Sequence, residues 1–229
     1  MQLVKIENVV KHYPMGKRKF TALKNINLTF EQGEFSGVVG PSGSGKTTLL
    51  NIIGSLDVPS EGTATVMGKK IEVLSHKEAA LLRSRHMGFI FQTYNLLPVY
   101  TVYENVEFPL LLLGMSPAER KKKVLDALNW VHLNDKINSK PNQLSGGESQ
   151  RVAIARAVVK VPELILADEP TANLDAENSK NILDAMVRLN KELQTTFVFA
   201  THDDKVIKYL RRKITLIDGK VAKDEIISK

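Results

Sequence analysis

The octapeptide Gly40-Pro41-Ser42-Gly43-Ser44-Gly45-Lys46-Thr47 constrains the fold more than any other stretch of this chain. It fits G-x-x-x-x-G-K-[ST] at every fixed position. A short apolar run at 35–39 precedes it, and Thr48-Leu49-Leu50-Asn51-Ile52-Ile53 opens a helix after it. The glycines let the backbone curl so that successive N–H groups point inward at phosphate oxygens. The helix N-terminus adds its partial positive charge. Lys46 can then reach the terminal phosphates of a nucleotide, and the Thr47 hydroxyl is placed to ligate Mg²⁺. A Gly/Ser-rich turn before an ordinary helix is the plain alternative, and the strand–loop–helix order argues against it.

Around this loop the chain reads as short strands and helices. Residues 4–10 and 25–30 alternate polar and apolar side chains, Glu31-Gln32-Gly33-Glu34 is a turn, and 62–68 is a strand bounded by glycines. Ser36 and Gly37 weaken the strand reading of 35–39. The last third gives strands at 164–167, 196–200 and 214–217, separated by helices at 176–193 and 204–210. Such alternation implies a largely parallel sheet covered on both faces. The stretch from about 94 to 159 differs, being rich in helix formers. Ser116-Pro117-Ala118-Glu119 is a capping box with proline at the first helical position, and a second helix spans about 148–160. This predicts one domain over 1–229, in which 1–93 and 160–229 form an α/β core and 94–159 an inserted helical lobe.

Composition narrows the partners. Net charge is +7, but the densest run, Arg120-Lys121-Lys122-Lys123, lies opposite an apolar stripe of Val124, Leu125, Leu128 and Val131. With no aromatics interleaved, a nucleic-acid groove is not expected. Zero cysteines exclude disulfides, thiolate metal sites and cysteine nucleophiles. Residues 1–7 lack the apolar core of a secretion signal. The oily stretch at 108–113 is far short of the roughly 20 residues that cross a bilayer.

Hydrolysis needs more than a phosphate-binding loop. Leu164-Ile165-Leu166-Ala167-Asp168-Glu169 is an apolar strand ending in two carboxylates. At a strand end the side-chain alternation relaxes, so both acids can face one site. Asp168 would hold Mg²⁺, directly or through water, and Glu169 would polarise the attacking water as general base. Leu144-Ser145-Gly146-Gly147-Glu148 then opens a helix, with small residues and a helix dipole suited to an anion.

That pentapeptide and its continuation, Ser149-Gln150-Arg151-Val152-Ala153-Ile154-Ala155-Arg156-Ala157, resemble the signature of the ABC ATPases. The resemblance covers the whole chain, in the family's motif order. It implies a P-loop NTPase with a RecA-like core, an antiparallel β subdomain and an inserted helical subdomain. It also implies ATP and Mg²⁺ as cofactors, bound by residues 40–48, with Ser145, Gly146 and Gly147 clamping the γ-phosphate of ATP held by a second copy. Gln92, in Gly88-Phe89-Ile90-Phe91-Gln92, looks like the glutamine that touches Mg²⁺ and water and links core to lobe. His202 resembles the switch histidine, acting with Lys46, Glu169 and Gln92. Asp175, in Asn173-Leu174-Asp175, matches the loop that crosses to the partner's site. Tyr13 looks like the aromatic that stacks on adenine, with Phe20 as rival. Glu148 departs from the usual Gln. An acid suits a first helical turn, but it brings negative charge near polyphosphate.

The resemblance therefore implies an ATP-hydrolysing subunit working as a head-to-tail dimer. It would lie on the cytoplasmic face of the cell membrane through transmembrane permease subunits. The stretches 88–98 and 167–175 look most like the lipoprotein-release and macrolide-export group, with cell-division ATPases as near relatives. A mechanical or regulatory role in such a complex is the alternative to export. Repair-type ABC proteins carry coiled-coil or zinc insertions between loop and signature, and translation-type ones two cassettes. This chain has neither.

Overall fold

The computed structural model describes residues 1–16 and 18–227. In chain order it has β1 (Gln2–Met15), β2 (Arg18–Glu31), β3 (Phe35–Val39), α1 (Lys46–Ile53), β4 (Glu61–Val66), β5 (Lys69–Lys70), α2 (His76–His86) and β6 (Met87–Ile90). Then come α3 (Val102–Leu112), α4 (Pro117–Trp130), α5 (Gly146–Val158), β7 (Leu164–Asp168), α6 (Ala176–Leu193), β8 (Thr196–Thr201), α7 (Asp204–Ile207), β9 (Arg212–Ile217) and β10 (Lys220–Ile226).

Two sheets result. The antiparallel one has the order β2-β1-β4-β5, and the six-stranded one β10-β9-β3-β8-β7-β6. Within the latter β9, β3, β8, β7 and β6 are mutually parallel, and β10 closes one edge antiparallel. This is the α/β class expected from the sequence, with the antiparallel β sheet beside the core.

Alternate residues of the parallel strands feed two different cores. Leu164, Leu166, Val198 and Ala200 face α1 and the antiparallel sheet, where they meet Leu49, Ile52 and Phe30. Ile165, Ala167, Phe197 and Phe199 face the opposite side, with Val152, Ile182 and Leu183. Burial on both faces explains why these strands read as unbroken apolar runs. Ser36 and Gly37 do not break β3, because each is locally accounted for. Ser36 Oγ donates to Glu34 Oε2 at 2.5 Å. A Cβ on Gly37 would lie 2.3 Å from Leu210 Cδ1, so the missing side chain is what admits the leucine.

Sheet order brings the chemistry together. β8 lies between β3 and β7, with Val39 opposite Thr201 and Asp168 opposite Ala200. The residues just past these three strand ends, Gly40, Glu169 and His202, therefore meet at one edge. Crevices at the carboxyl ends of parallel strands are where open α/β sheets bind ligands.

The segment between β6 and β7 supplies α3, α4 and α5, which pack on one another through Val102, Val106, Leu110, Val124, Leu128 and Val152. Expected boundaries shifted where capping decides. The helix expected at 148–160 begins at Gly146, because Ser145 is its N-cap, and the one expected at 204–210 is regular only over Asp204–Ile207.

Candidate functional site

The loop after β3 is held by backbone close approach. A Cβ on Gly40 would sit 2.1 Å from the Leu216 carbonyl oxygen. Gly43 and Gly45 have φ of +79° and +103°, a region that L side chains avoid. Lys46 is buried, and its Nζ donates to the Gly40 and Pro41 carbonyls at 2.8 and 3.0 Å. Its ammonium is thus bent back over the loop at the N-terminus of α1. Pro41, Ser42 and Gly43 are exposed, and Ser44 is buried with an unpartnered Oγ.

Thr47 Oγ1 donates to Asp168 Oδ2 at 2.9 Å, tying loop to β7. Burial raises the Asp168 carboxyl above the usual carboxylate range. The Glu169 charge adds to the rise, against the lowering effect of the Thr47 bond. Glu169 follows in a left-handed conformation, φ 45°, and its N–H donates to Ala200 O at 2.9 Å. The turn points its carboxylate at the end of β8. There Thr201 Oγ1 donates to Oε2 at 3.0 Å, and His202 Nδ1 lies 2.6 Å from Oε1.

Gln92 lies two residues past β6 and is exposed, and its carbonyl accepts from Asn173 Nδ2 at 2.9 Å. Asp175 caps α6, taking the Asn178 N–H at 2.8 Å on Oδ1 and the Asn178 amide at 2.7 Å on Oδ2. Asn178 in turn closes over Gly147, where a Cβ would fall 2.5 Å from its Oδ1. Gly146 approaches the Tyr94 hydroxyl and the Asn173 carbonyl. The 145–147 turn thus abuts residues 94, 173 and 178, while residues 40–48 contact the strand ends.

Glu148 completes a capping box. Its Oε2 accepts from Ser145 N at 2.8 Å, and Oε1 pairs with Lys136 Nζ at 3.3 Å. The Ser145 backbone bond, then the Ser145 hydroxyl and Lys136, outweigh burial and hold its carboxyl below the usual range. The charge expected beside the polyphosphate site is therefore compensated within the chain. Gln can also close a capping box. Glu148→Gln is accordingly expected to cost about 1 kcal/mol or less, the worth of a partly exposed ion pair, and to leave ATP turnover within roughly threefold. Urea denaturation and steady-state phosphate release would check both.

Tyr13 sits on β1 opposite Phe20 on β2. Its hydroxyl donates to Asp57 Oδ2 at 2.8 Å, and Lys11 Nζ lies 5.0 Å from its ring centre while bonding Asp57 Oδ1 at 2.5 Å. Phe20 is half exposed. No sequence signal joins Lys11 to Asp57, since one lies 46 positions from the other.

On the far side of β6 an apolar groove of about 470 Å³ runs between α2 and α3, lined by Arg83, Phe89, Phe91, Phe108, Leu112 and Lys160 among others. Leu112 is 66% exposed. Lys160 Nζ donates to the Arg83 and Ser84 carbonyls at 2.9 and 2.5 Å, and burial pulls its pKa down to about 8. No helix of the described residues is long and apolar enough to cross a membrane.

A glycine-rich loop with a buried lysine, a hydroxyl–carboxylate pair and a Glu–His pair at three adjacent strand ends are the parts expected of a nucleotide hydrolase. Residues 23–172 match the family model described as ABC transporter. The chain is 46% identical over 227 residues to the ABC transporter ATP-binding protein MJ0796 of Methanocaldococcus jannaschii, covering 97% of each. A dimeric structure of the MJ0796 cassette, in a post-hydrolysis state with ADP and Pi, aligns with a TM-score of 0.92, covering 99% of this chain and 100% of that one. The chain is also 46% identical to the macrolide export ATP-binding/permease protein MacB of Bartonella quintana, covering 96% of this chain but 33% of that longer protein. The structure of cbiO1 from Clostridium perfringens, part of the ABC transporter complex cbiONQ, aligns at 31% identity with a TM-score of 0.88, covering 98% and 88%. The chain belongs to the ABC transporter family, as its ATP-hydrolysing cassette.

Proposed function

We propose that the chain binds Mg-ATP on residues 40–48 and hydrolyses it in a head-to-tail dimer that drives permease subunits in export or extraction. The observation that carries this reading is the meeting of Lys46, Thr47, Asp168, Glu169 and His202 at adjacent strand ends, while the Ser145–Gly147 turn contacts other elements. Ser145 and Gly146 are exposed and thus present part of an anion clamp to a second copy, while Gly147 lies under Asn178. The dimeric MJ0796 cassette and the permease fused to the ATPase in MacB support both partners.

Each residue has a role in this reading. The γ-phosphate draws Lys46 off the Gly40 and Pro41 carbonyls, an exchange of neutral acceptors for an anionic one. Thr47 and Asp168 offer hydroxyl and carboxylate oxygens already in contact, a donor set that suits a hard divalent cation and lessens the cost of a buried carboxylate beside Glu169. Mg²⁺ so held would neutralise charge on the phosphates, with Gln92 swinging in from the loop after β6. Tyr13 offers its ring to adenine. Glu169 takes the proton of the attacking water, and His202 moves to the γ-phosphate. The groove between α2 and α3 suits an apolar helical segment of the permease, so that the 94–159 lobe grips the membrane partner on the cytoplasmic face.

Mixing two inactive variants tests the head-to-tail dimer. Lys46→Ala and Ser145→Arg should each lose hydrolysis, and their mixture should regain part of it. The heterodimer then has one site with both lesions and one with neither. A mixture as inactive as its components, though shown by pull-down to contain heterodimer, would mean that each chain completes its own site. Export is favoured over a mechanical role by the MacB likeness, and cargo movement by the complex in liposomes separates the two.

A further inference from the structure

We propose that Thr201 is a positioning residue for hydrolysis, anchoring one oxygen of Glu169 so that only the other is free to work. The inference rests on Glu169 as the general base. Thr201 is fully buried at the last position of β8, opposite Val39 of the strand that leads into the phosphate-binding loop. Its Oγ1 accepts the Asp203 N–H at 3.0 Å. A hydroxyl has one hydrogen, and with an N–H occupying a lone pair, the O–H is directed at Glu169 Oε2, 3.0 Å away.

Asp203 is itself braced. Its Oδ2 accepts from Thr171 Oγ1 at 2.9 Å, and Thr171 is 2% exposed, two residues past Glu169 in the same turn. The hydrogen bonds thus close a ring from β8 to the turn after β7 and back. Inside that ring Glu169 holds φ 45°, a conformation that costs energy for a non-glycine residue and persists only where surroundings impose it.

The two carboxylate oxygens therefore have unequal partners. Oε2 is bonded to a buried hydroxyl that cannot leave. Oε1 is bonded to the ring of His202, whose side chain is 60% exposed and free to swing. When His202 turns to the γ-phosphate, Oε1 is released while Oε2 stays fixed. The carboxylate then meets water in one orientation instead of several, which is the part of a base's efficiency that depends on geometry.

Thr201→Val keeps the shape and removes the hydroxyl, and Thr201→Ser keeps the hydroxyl. In the purified full chain, Thr201→Val should lower kcat for ATP by roughly tenfold, the loss of one hydrogen bond to a charged group, with KM for ATP unchanged. ATP-driven dimerisation should persist, and Thr201→Ser should recover kcat to within about threefold of wild type. A Thr201→Val chain with wild-type kcat overturns the proposal. So does a loss of kcat that Thr201→Ser shares in full, or one in which KM rises in proportion, since either marks a packing role. Melting curves of both variants identify misfolding. Should Thr201→Val fail to fold, the kcat of Thr201→Ser and of Thr171→Val decides. The first should stay near wild type and the second fall severalfold, and the reverse order overturns the proposal. Wild-type hydrolysis by Glu169→Gln would instead remove the base itself, a separate failure.

Discussion

Glu169→Gln is expected to slow ATP turnover by roughly a hundredfold to a thousandfold, within the range for loss of a general base, while the chain still binds ATP. The substitution changes one atom. Thr201 can still donate to the side-chain oxygen and the turn after β7 keeps its bond to Ala200. What disappears is the proton acceptor and one negative charge. That charge lies beside Asp168, whose carboxyl it pushes up, and a polyphosphate would crowd both. Removing it should therefore stabilise the ATP-bound dimer while blocking its discharge. Sedimentation with ATP should show a long-lived dimer, and phosphate release should be nearly absent. A monomeric chain that turned over ATP at the wild-type rate would transfer the base role elsewhere.

Gly45→Ala is the second large effect, and it acts on binding. Gly45 precedes α1 at φ +103°, which alanine adopts only under strain of about 2 kcal/mol. Its Cβ would also fall 2.7 Å from the Ala22 carbonyl and 2.9 Å from Leu23 Cδ2, both on β2. Relief requires the loop to move off the antiparallel sheet, which displaces the loop backbone and the start of α1. Nucleotide affinity should fall at least a hundredfold. Melting should drop by roughly 5 °C, as a domain of this size loses a few degrees per kcal/mol. Titration with a fluorescent ATP analogue and a melting curve check the pair of effects. Gly43→Ala, also at positive φ but with open space around its Cβ, should lose less on both counts.

Much of this was legible because the chemistry is local in sequence. The phosphate-binding loop, the Asp168-Glu169 pair and the turn at Ser145 each occupy fewer than ten consecutive positions. Four strands of the parallel sheet, β3, β7, β8 and β9, were legible too, the first three because they are buried on both faces, whereas β6, only four residues long, carried no strand signal of its own. Less so were α2 and α3, although Ser75-His76-Lys77-Glu78 and Thr101-Val102-Tyr103-Glu104 announce each with a capping box that the structure contains. Their weak apolar periodicity hid them: α2 buries only Leu82, and α3 leaves Leu111 and Leu112 outside. β10 is hidden in the sequence because its residues are mostly exposed and charged, with pairing to β9 as its organising force. Thr201, Asp57 and Lys11 were invisible for another reason. Their significance depends on contacts 32 to 46 positions away, and no spacing rule reaches that far.

Arg156 of α5 faces two regions at once. Its guanidinium clasps the carbonyls of Tyr94 and Asn95 at 2.7 Å each, and it also lines the groove between α2 and α3. Asn173, from the turn after β7, holds the Gln92 carbonyl just upstream. Residues 92–95 are therefore pinned at both ends, to the turn after β7 on one side and to α5, the last helix of the lobe, on the other. A stretch so tethered works as a short connecting rod. In the proposed assembly, a segment seated in the groove and a nucleotide at the strand ends would bear on the same four residues, so that a displacement at either one would be felt at the other.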